Sequence, residues 1–268
     1  MKAMVGDYPV TKVFKQTAPF EFADVKVPNT AFKRVVRNLE FELAELAIMT
    51  FLLAKAHGKP YRLLPAVVTA RFQHATLAYN PERGTLSPDR LVGKRVGMRS
   101  YSVTTATWVR GILADDHGVD LGQVHWVTFE DPHVAEFRDP PNATRMPPGK
   151  DLTAMLLAGE IDAAILAEPP KDGPLRTLIP DPAAAAAAWR AKNDAIQINH
   201  MVTVKSTVSD SQAQDIFAEL RSSREAAGSP EMNPCGLEEN RRNLEVAIEC
   251  MYRQRMIPRR FAVEELFR

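Results

Sequence analysis

The stretch GKRVGMRSYSVTTATWVRGILADDHG, residues 93–118, predicts a strand, a hydroxyl-rich turn and then a helix. Its first apolar run is Lys94–Met98, and the helical spacing of the later apolar residues ends at Gly118. A helix start leaves backbone N–H groups free and carries the positive end of the helix dipole, so this one is a candidate anion site. On the residues alone, Ser102 or Thr104 as an ordinary N-cap is the simpler interpretation.

Outside this stretch, length and composition restrict the class of protein. The chain has 268 residues, enough for one large domain or two connected lobes. Its 34 basic and 33 acidic residues nearly balance, so it lacks the basic excess that nucleic-acid binding requires. The two cysteines, Cys235 and Cys250, have no zinc-ligand spacing, which argues against a disulfide framework or a structural zinc site.

The apolar runs of the chain are short. The N-terminal residues MKAMVGDYPV contain no apolar segment of the kind found in a secretory leader. Proline and charged residues interrupt the later apolar runs before they reach membrane-spanning length. We therefore expect a soluble, cytoplasmic protein without a membrane partner.

Strands and helices alternate along much of the chain, which favours an α/β fold with parallel strand pairing. Lys2–Val5 predicts a first strand that ends at the turn residues GDYP. Phe41–His57 is apolar around most of its circumference and predicts one buried helix. Glu42 and Glu45 would then lie near the start of that helix, where acidic residues favour the helix dipole.

Polar residues interrupt two further apolar segments. RFQH, residues 71–74, separates two strand-like segments, and Asn199 and His200 lie within the strand-like run Ile196–Val204. Burying arginine or histidine costs free energy unless the side chain has a partner, so both interruptions are candidates to line a ligand cleft. A structural histidine bonded to the backbone explains each of them equally well.

The chain is expected to cross between two lobes. The turn-rich segment NPERGTLSPDR, residues 80–90, predicts a crossing into a second lobe, and the strand Ile196–Val204 would return to the first. We therefore expect a discontinuous lobe I at residues 1–82 and 196–268, and a lobe II at residues 83–195.

Together, these pieces resemble the bilobal type II periplasmic-binding-protein fold, and within it the 4,5-dihydroxyphthalate decarboxylase family. The resemblance implies two α/β lobes with a ligand cleft between them, and cytoplasmic catalysis on a binding-protein scaffold. It spans nearly the whole chain and is carried by GDYPVTKVF, FELAELAIMTFLLAKAHGKP, LPAVVTARFQHATLAYN, LVGKRVGMRSYSVTTATWVRGILADDHGVD, VHWVTFEDPHV, LLAGEIDAAILAEPP, INHMVTV and MIPRRFAVEELF.

The reaction implied by this resemblance is loss of CO2 from one of two adjacent ring carboxylates, which converts 4,5-dihydroxyphthalate to protocatechuate. A hydroxyl para to the leaving carboxylate pushes electrons into the ring, so the ring carbon is protonated before CO2 departs. This route needs an anion clamp, a proton donor and an acceptor for the phenolic proton. The expected partner is a small aromatic dicarboxylate. No electron-sink cofactor is expected, and the sequence does not exclude a divalent metal.

The candidate residues follow from these needs. His200 is the preferred proton donor and His74 the alternative, because histidine exchanges protons near neutral pH. Asp7 and Glu168 follow predicted strands and are candidates to orient a histidine or accept a phenolic proton, although such acids often only end a strand. The candidate substrate-binding residues are Arg71, Arg99, Tyr101, Ser102, Thr104, Thr105 and Asn199.

Three alternatives remain at this point. A non-catalytic solute-binding protein for an aromatic or other small carboxylate would share the scaffold and the clamp. The segment EDPHVAE, residues 130–136, has residue types that bind divalent ions, but a solvated loop is the preferred interpretation. Leu244, Ile248 and Met251 form an apolar helical face that fits either packing within the chain or a homo-oligomer.

Overall fold

A computed structural model of the chain describes residues 1–171 and 173–268. The strands are β1 (Lys2–Met4), β2 (Glu21–Phe22), β3 (Leu43–Ala47), β4 (Tyr61–Ala70), β5 (Leu77–Tyr79), β6 (Arg95–Met98), β7 (His125–Thr128), β8 (Ala143–Arg145), β9 (Ala163–Ile165), β10 (Arg176–Thr177) and β11 (Ile198–Lys205). The α-helices are α1 (Lys12–Thr17), α2 (Phe32–Asn38), α3 (Ile48–Ala56), α4 (Thr104–His117), α5 (Leu152–Ala158), α6 (Pro182–Asn193), α7 (Asp210–Ala226) and α8 (Leu237–Arg253).

The chain divides into two compact units. Unit 1 contains residues 1–71, 133–136 and 194–268, and unit 2 contains residues 72–132 and 137–193. The first crossing therefore lies after Arg71 rather than after residue 82, because β5 pairs with β9 and β10 in the sheet of unit 2. The segment 133–136 also belongs to unit 1, a feature that turn-forming residues alone do not indicate.

Unit 1 is built on a five-stranded sheet with the order β2-β1-β3-β11-β4. β1 is parallel to β2 and β3, whereas β11 lies antiparallel to both β3 and β4. The carboxyl ends of β1, β3 and β4 and the start of β11 therefore share one edge of the sheet. In open α/β sheets this edge commonly carries the ligand-binding residues.

The tail packs within unit 1. The face of α8 that carries Leu244, Ile248 and Met251 is buried within the chain, and α8 contacts α3. Packing within the chain therefore accounts for these three side chains.

Unit 2 is built on a six-stranded sheet with the order β10-β5-β9-β6-β7-β8. β6 is parallel to β7 and β9, as expected for strands joined by helical crossovers, while β5 is antiparallel to β9. Helix α4 follows β6 directly along the chain, as the stretch 93–118 predicts, and ends at Gly118 with φ of 65°. Glycine tolerates this left-handed backbone conformation, which ends the helix.

The single buried helix predicted at Phe41–His57 is wrong. The segment forms strand β3 and then, without a loop, helix α3. All five residues of β3 are buried, and a strand buried on both faces has a continuous apolar run that periodicity cannot distinguish from a buried helix. This correction moves Glu45 from a helix start into the middle of the sheet.

Candidate functional site

The site in unit 1 centres on the carboxylate of Glu45, which is fully buried on β3. Its Oε2 accepts a hydrogen bond of 2.7 Å from the backbone N–H of Gly6, which follows β1. Its Oε1 accepts one of 2.7 Å from the Tyr8 hydroxyl and lies 2.5 Å from Nδ1 of His200. These partners offset the large cost of taking a carboxylate out of water.

His200 is placed by its position in β11. It pairs with Ala47 at the end of β3 and with Thr69 near the end of β4, so it lies at the shared edge of the sheet. The ring of Phe32 meets its ring edge-on at 5.2 Å between centroids. Because Nδ1 faces Glu45 and 19% of the side chain is exposed, Nε2 is the nitrogen available to a ligand.

Tyr8 completes the cluster as a hydrogen-bond donor. Burial raises the pKa of its hydroxyl far above the ordinary range, and the nearby charge of Glu45 adds to the shift. The hydroxyl therefore stays protonated at neutral pH and keeps donating to Glu45. The turn GDYP predicted after β1 positions both Gly6 and Tyr8 for this contact.

Glu45, rather than the candidate Asp7, contacts the ring of His200. The Asp7 side chain is 81% exposed and pairs with Lys15 of α1. Glu45 escaped the sequence reasoning because an acid near a predicted helix start needs no special partner. The signal available was its setting in FELAELA, where a buried helix or a buried strand would both require a partner for the charge.

The segment EDPHVAE is exposed at Glu130, Asp131 and Glu136, as expected of a solvated loop, but His133 within it is buried and lies against the same cluster. His133 is 4% exposed, and its Nδ1 lies 2.8 Å from the hydroxyl of Thr50 on α3. Its ring also packs edge-on against Phe32, at 5.5 Å between centroids. Glu136 pairs with Lys59 at 2.6 Å. His133 and Glu136, two of the residues that suggested a metal site, therefore attach residues 133–136 to unit 1.

His74 belongs to unit 2, whereas lobe I was predicted for it. It is 1% exposed and packs near the rings of Phe72 and Trp189. Neither ring nitrogen has a hydrogen-bond partner among the described residues. Burial lowers the pKa of His74 to about 4, so this imidazole is neutral at physiological pH.

The start of α4 in unit 2 differs from the predicted one at its N-cap. The N-cap residue is Val103, which offers no side-chain hydrogen bond, so the predicted capping by Ser102 or Thr104 is wrong. Ser102 and Thr104 are both buried, while Thr105 is partly exposed. The buried hydroxyl of Ser100 has no hydrogen-bond partner within the described part of the chain. The backbone donors of a helix start are of the kind that bind anions.

Arg99 is the cation nearest in sequence to this helix start. Its side chain is 33% exposed, and its guanidinium lies 3.5 Å from a carboxylate oxygen of Glu130, a loose contact that leaves donors for another anion. Tyr101, by contrast, belongs to the core. Its ring stacks on Phe137 and lies 3.8 Å below the guanidinium of Arg110, which is fully buried.

The remaining candidate site residues, Arg71, Asn199 and Glu168, lie on different elements of the two units. Arg71 is partly buried directly after β4, and its backbone N–H donates to the carbonyl of Gln197 at 3.2 Å. Asn199 is buried at the start of β11, beside His200. Both residues therefore lie at the sheet edge that carries His200. Glu168 is exposed and follows β9 in unit 2.

Two curated proteins resemble the chain in sequence. It is 29% identical to a 4,5-dihydroxyphthalate decarboxylase of Comamonas testosteroni over 196 residues, which cover 68% of this chain and 59% of that protein. It is 30% identical to a 4,5-dihydroxyphthalate decarboxylase of Pseudomonas putida over 175 residues, which cover 60% of this chain and 68% of that protein.

The chain belongs to the 4,5-dihydroxyphthalate decarboxylase family. The family predicted from the sequence motifs is thereby confirmed. The match spans about three fifths of the Comamonas protein. No family model matches the chain.

Solved structures confirm the predicted fold. The chain matches the alkanesulfonate-binding protein SsuA from Xanthomonas axonopodis pv. citri, bound to MOPS, with a TM-score of 0.56 and 14% identity over 99% of this chain and 96% of that one. It matches the periplasmic aliphatic sulphonate binding protein SsuA from Escherichia coli with a TM-score of 0.57 and 12% identity over 100% and 96% of the two chains. At such identities the likeness shows a periplasmic-binding-protein-like fold.

Across residues 1–171 and 173–268, no group of three or more His, Cys, Asp or Glu side chains is arranged to hold a metal ion. Over the same residues, no helix combines the length and the apolar character that a membrane crossing requires.

Proposed function

We propose that the chain is a carboxy-lyase that removes CO2 from a dihydroxylated aromatic dicarboxylate, with 4,5-dihydroxyphthalate as the substrate and protocatechuate as the product. The observation that carries this proposal is the buried Glu45 that faces Nδ1 of the partly exposed His200. A histidine held by a carboxylate is a well-suited proton donor, because the carboxylate fixes the ring and stabilises its protonated form. Membership of the decarboxylase family supports the same reaction.

In the proposed reaction, Nε2 of His200 gives a proton to the ring carbon that bears the leaving carboxylate. The para hydroxyl gives its proton to water as its electrons enter the ring. When CO2 leaves, the electrons of the broken C–C bond restore the aromatic ring, and the para oxygen takes a proton back. The overall reaction consumes one proton, and a proton from solvent regenerates the protonated histidine.

Arg99 and the start of α4 are the proposed holders of a substrate carboxylate. An arginine donates two parallel hydrogen bonds to a carboxylate, and a helix start adds backbone donors. The loose contact of Arg99 with Glu130 and the unpartnered hydroxyl of Ser100 support this assignment. Arg71 and Asn199, at the edge that carries His200, are proposed to contact the substrate as well.

Incubation of the purified chain with 4,5-dihydroxyphthalate tests the proposal. We expect release of CO2 and formation of protocatechuate in equal amounts, followed by chromatography, without added nucleotide or flavin. A parallel incubation with added EDTA measures whether turnover depends on a divalent metal. Tight binding without turnover under both conditions would contradict the proposal and favour a solute-binding protein.

A further inference from the structure

We propose that Tyr8 is a positioning residue that sets the proton affinity of His200 through a shared oxygen of Glu45. This inference rests on the proposed function, because it concerns the proton donor of that reaction. It assigns a role to a residue that does not itself contact the reacting atoms.

The shared oxygen is the first step of the argument. The Tyr8 hydroxyl and His200 Nδ1 both lie on Oε1 of Glu45, at 2.7 Å and 2.5 Å, while the Gly6 N–H occupies Oε2. Two donors on one oxygen compete for its electron density, so each weakens the bond that the other makes. Since Glu45 is fully buried, water does not screen the interaction of the two donors with this oxygen.

The direction of the effect follows from the charges. The hydroxyl of Tyr8 draws negative charge away from the side of Oε1 that faces the imidazole. A protonated imidazole is stabilised by that charge, so Tyr8 holds the proton affinity of His200 below the value that Glu45 alone would give. Loss of the hydroxyl therefore moves the titration of His200 to higher pH.

Other charged groups around the cluster of Glu45, Tyr8 and His200 make contacts of their own. On the loop after β1, the exposed Asp7 is paired with Lys15 of α1. His133 faces the cluster only across the ring of Phe32. Arg71 follows β4 at the same sheet edge, and Nε of Arg37 on α2 donates to the His133 carbonyl. The Tyr8 hydroxyl takes part in none of these contacts, so removing the hydroxyl leaves the contacts in place.

The test compares two tyrosine variants of the full chain. Tyr8→Phe removes the hydroxyl on Glu45, and Tyr61→Phe removes another hydroxyl of unit 1, which donates to the Phe41 carbonyl at 2.7 Å. The ring signals of His200 are followed by nitrogen-15 NMR against pH without substrate, and the signals are assigned with His200→Gln. We expect the His200 midpoint to rise by about 0.5–1 pH unit in Tyr8→Phe, the equivalent of one hydrogen bond, and to stay unchanged in Tyr61→Phe.

If Tyr8→Phe does not fold, a second variant serves, for which the expected shift of the His200 midpoint has the opposite direction. 3-Fluorotyrosine at position 8 keeps the ring and makes the hydroxyl a stronger donor, so the His200 midpoint should fall. An unchanged midpoint in the folded Tyr8 variants would overturn the inference, as would an equal shift in Tyr61→Phe.

The pH dependence of turnover separates this inference from the proposed function. If the wild-type chain turns over, Tyr8→Phe should move the alkaline limb of the kcat profile upward by the shift seen in NMR. If the wild-type chain does not turn over while the NMR midpoint moves, the proposed function fails and the coupling stands. If turnover occurs and neither midpoint nor profile moves, only the coupling fails.

Discussion

His200 in unit 1 and His74 in unit 2 come from similar sequence settings and reach opposite environments. His200 lies on a buried carboxylate at the edge of a sheet, with part of its ring exposed. His74 is enclosed by aromatic rings, has no hydrogen-bond partner among the described residues, and has its pKa lowered to about 4. In this comparison the contact with a buried carboxylate, rather than the setting in an apolar run, separates the proposed proton donor His200 from His74.

The strongest test of this comparison is His200→Gln. We expect kcat for 4,5-dihydroxyphthalate to fall by about 100- to 10,000-fold, the usual contribution of a general acid, while substrate affinity changes little. Steady-state kinetics with calorimetric binding measures both quantities. His125→Gln, which removes an exposed histidine of β7, is the control for loss of an imidazole. An equal or larger loss in His74→Gln would reverse the comparison.

Glu45→Gln should have the next largest effect. The amide keeps the size of the side chain but not the charge that orients and stabilises the protonated imidazole, so we expect kcat to fall about 100-fold. Glu42→Gln is the matched control, because Glu42 accepts from the Lys2 N–H at 2.7 Å and does not contact His200. If both variants retained wild-type kcat, Glu45 would have only a structural role.

Arg99→Ala should affect binding more than chemistry. Removing a charged donor to a carboxylate is expected to raise the dissociation constant about tenfold or more, with a smaller change in kcat. Arg95→Ala, at the start of β6, is the control, because Arg95 bonds Asp162 and the Gly159 carbonyl instead. Equal affinities for the Arg99 variant and wild type would exclude this residue from the clamp.

The smallest expected effect concerns stability and His74. Its folded pKa of about 4 lies below the ordinary value of 6.5, so the unfolded chain binds a proton as pH falls below 6.5 while the folded chain does not. The free energy of unfolding should therefore decrease from pH 7 to pH 5. Asp115, Asp116 and His117 on α4 and Lys192 on α6 line the neighbouring cavity.

Urea unfolding at pH 5 and pH 7 measures this decrease. His74→Leu should flatten it, because the replacement cannot take up a proton. Arginine-paired acids such as Glu40 and Glu265 have pKa values of about 2. They lose their contributions to the free energy of unfolding only below pH 4.5, so they do not affect the comparison of pH 5 with pH 7. An unchanged pH dependence in His74→Leu would mean that other groups cause the loss.

Sequence reasoning succeeded where local pattern and position agree. The strand and helix of residues 93–118, the strand around His200 and the fold were predicted, because apolar periodicity and family motifs point the same way there. It failed at Phe41–His57, where a central strand and the helix after it are both apolar throughout. The role of Glu45 depended on that distinction, because only a strand places its carboxylate beside β1 and β11.

The crossings between the units escaped prediction for a different reason. Turn-forming residues mark where the chain bends, but strand pairing decides which unit a segment joins. β5 follows Arg71 closely and still pairs with β9, far along the chain. The segment 133–136 is assigned by contacts such as His133 with Thr50, which join residues distant in sequence. Local patterns carry no information about such pairings.

The central place of β11 has a consequence for how the protein is made. Every residue of unit 2 precedes β11 in the chain, yet β11 fills the gap between β3 and β4. During synthesis, β3 and β4 therefore present open strand edges until nearly the whole chain has left the ribosome. Such edges invite pairing with other chains, so the nascent protein is most prone to aggregate before β11 arrives. The proposed proton donor His200 and the carboxylate of Glu45 meet only when β11 arrives.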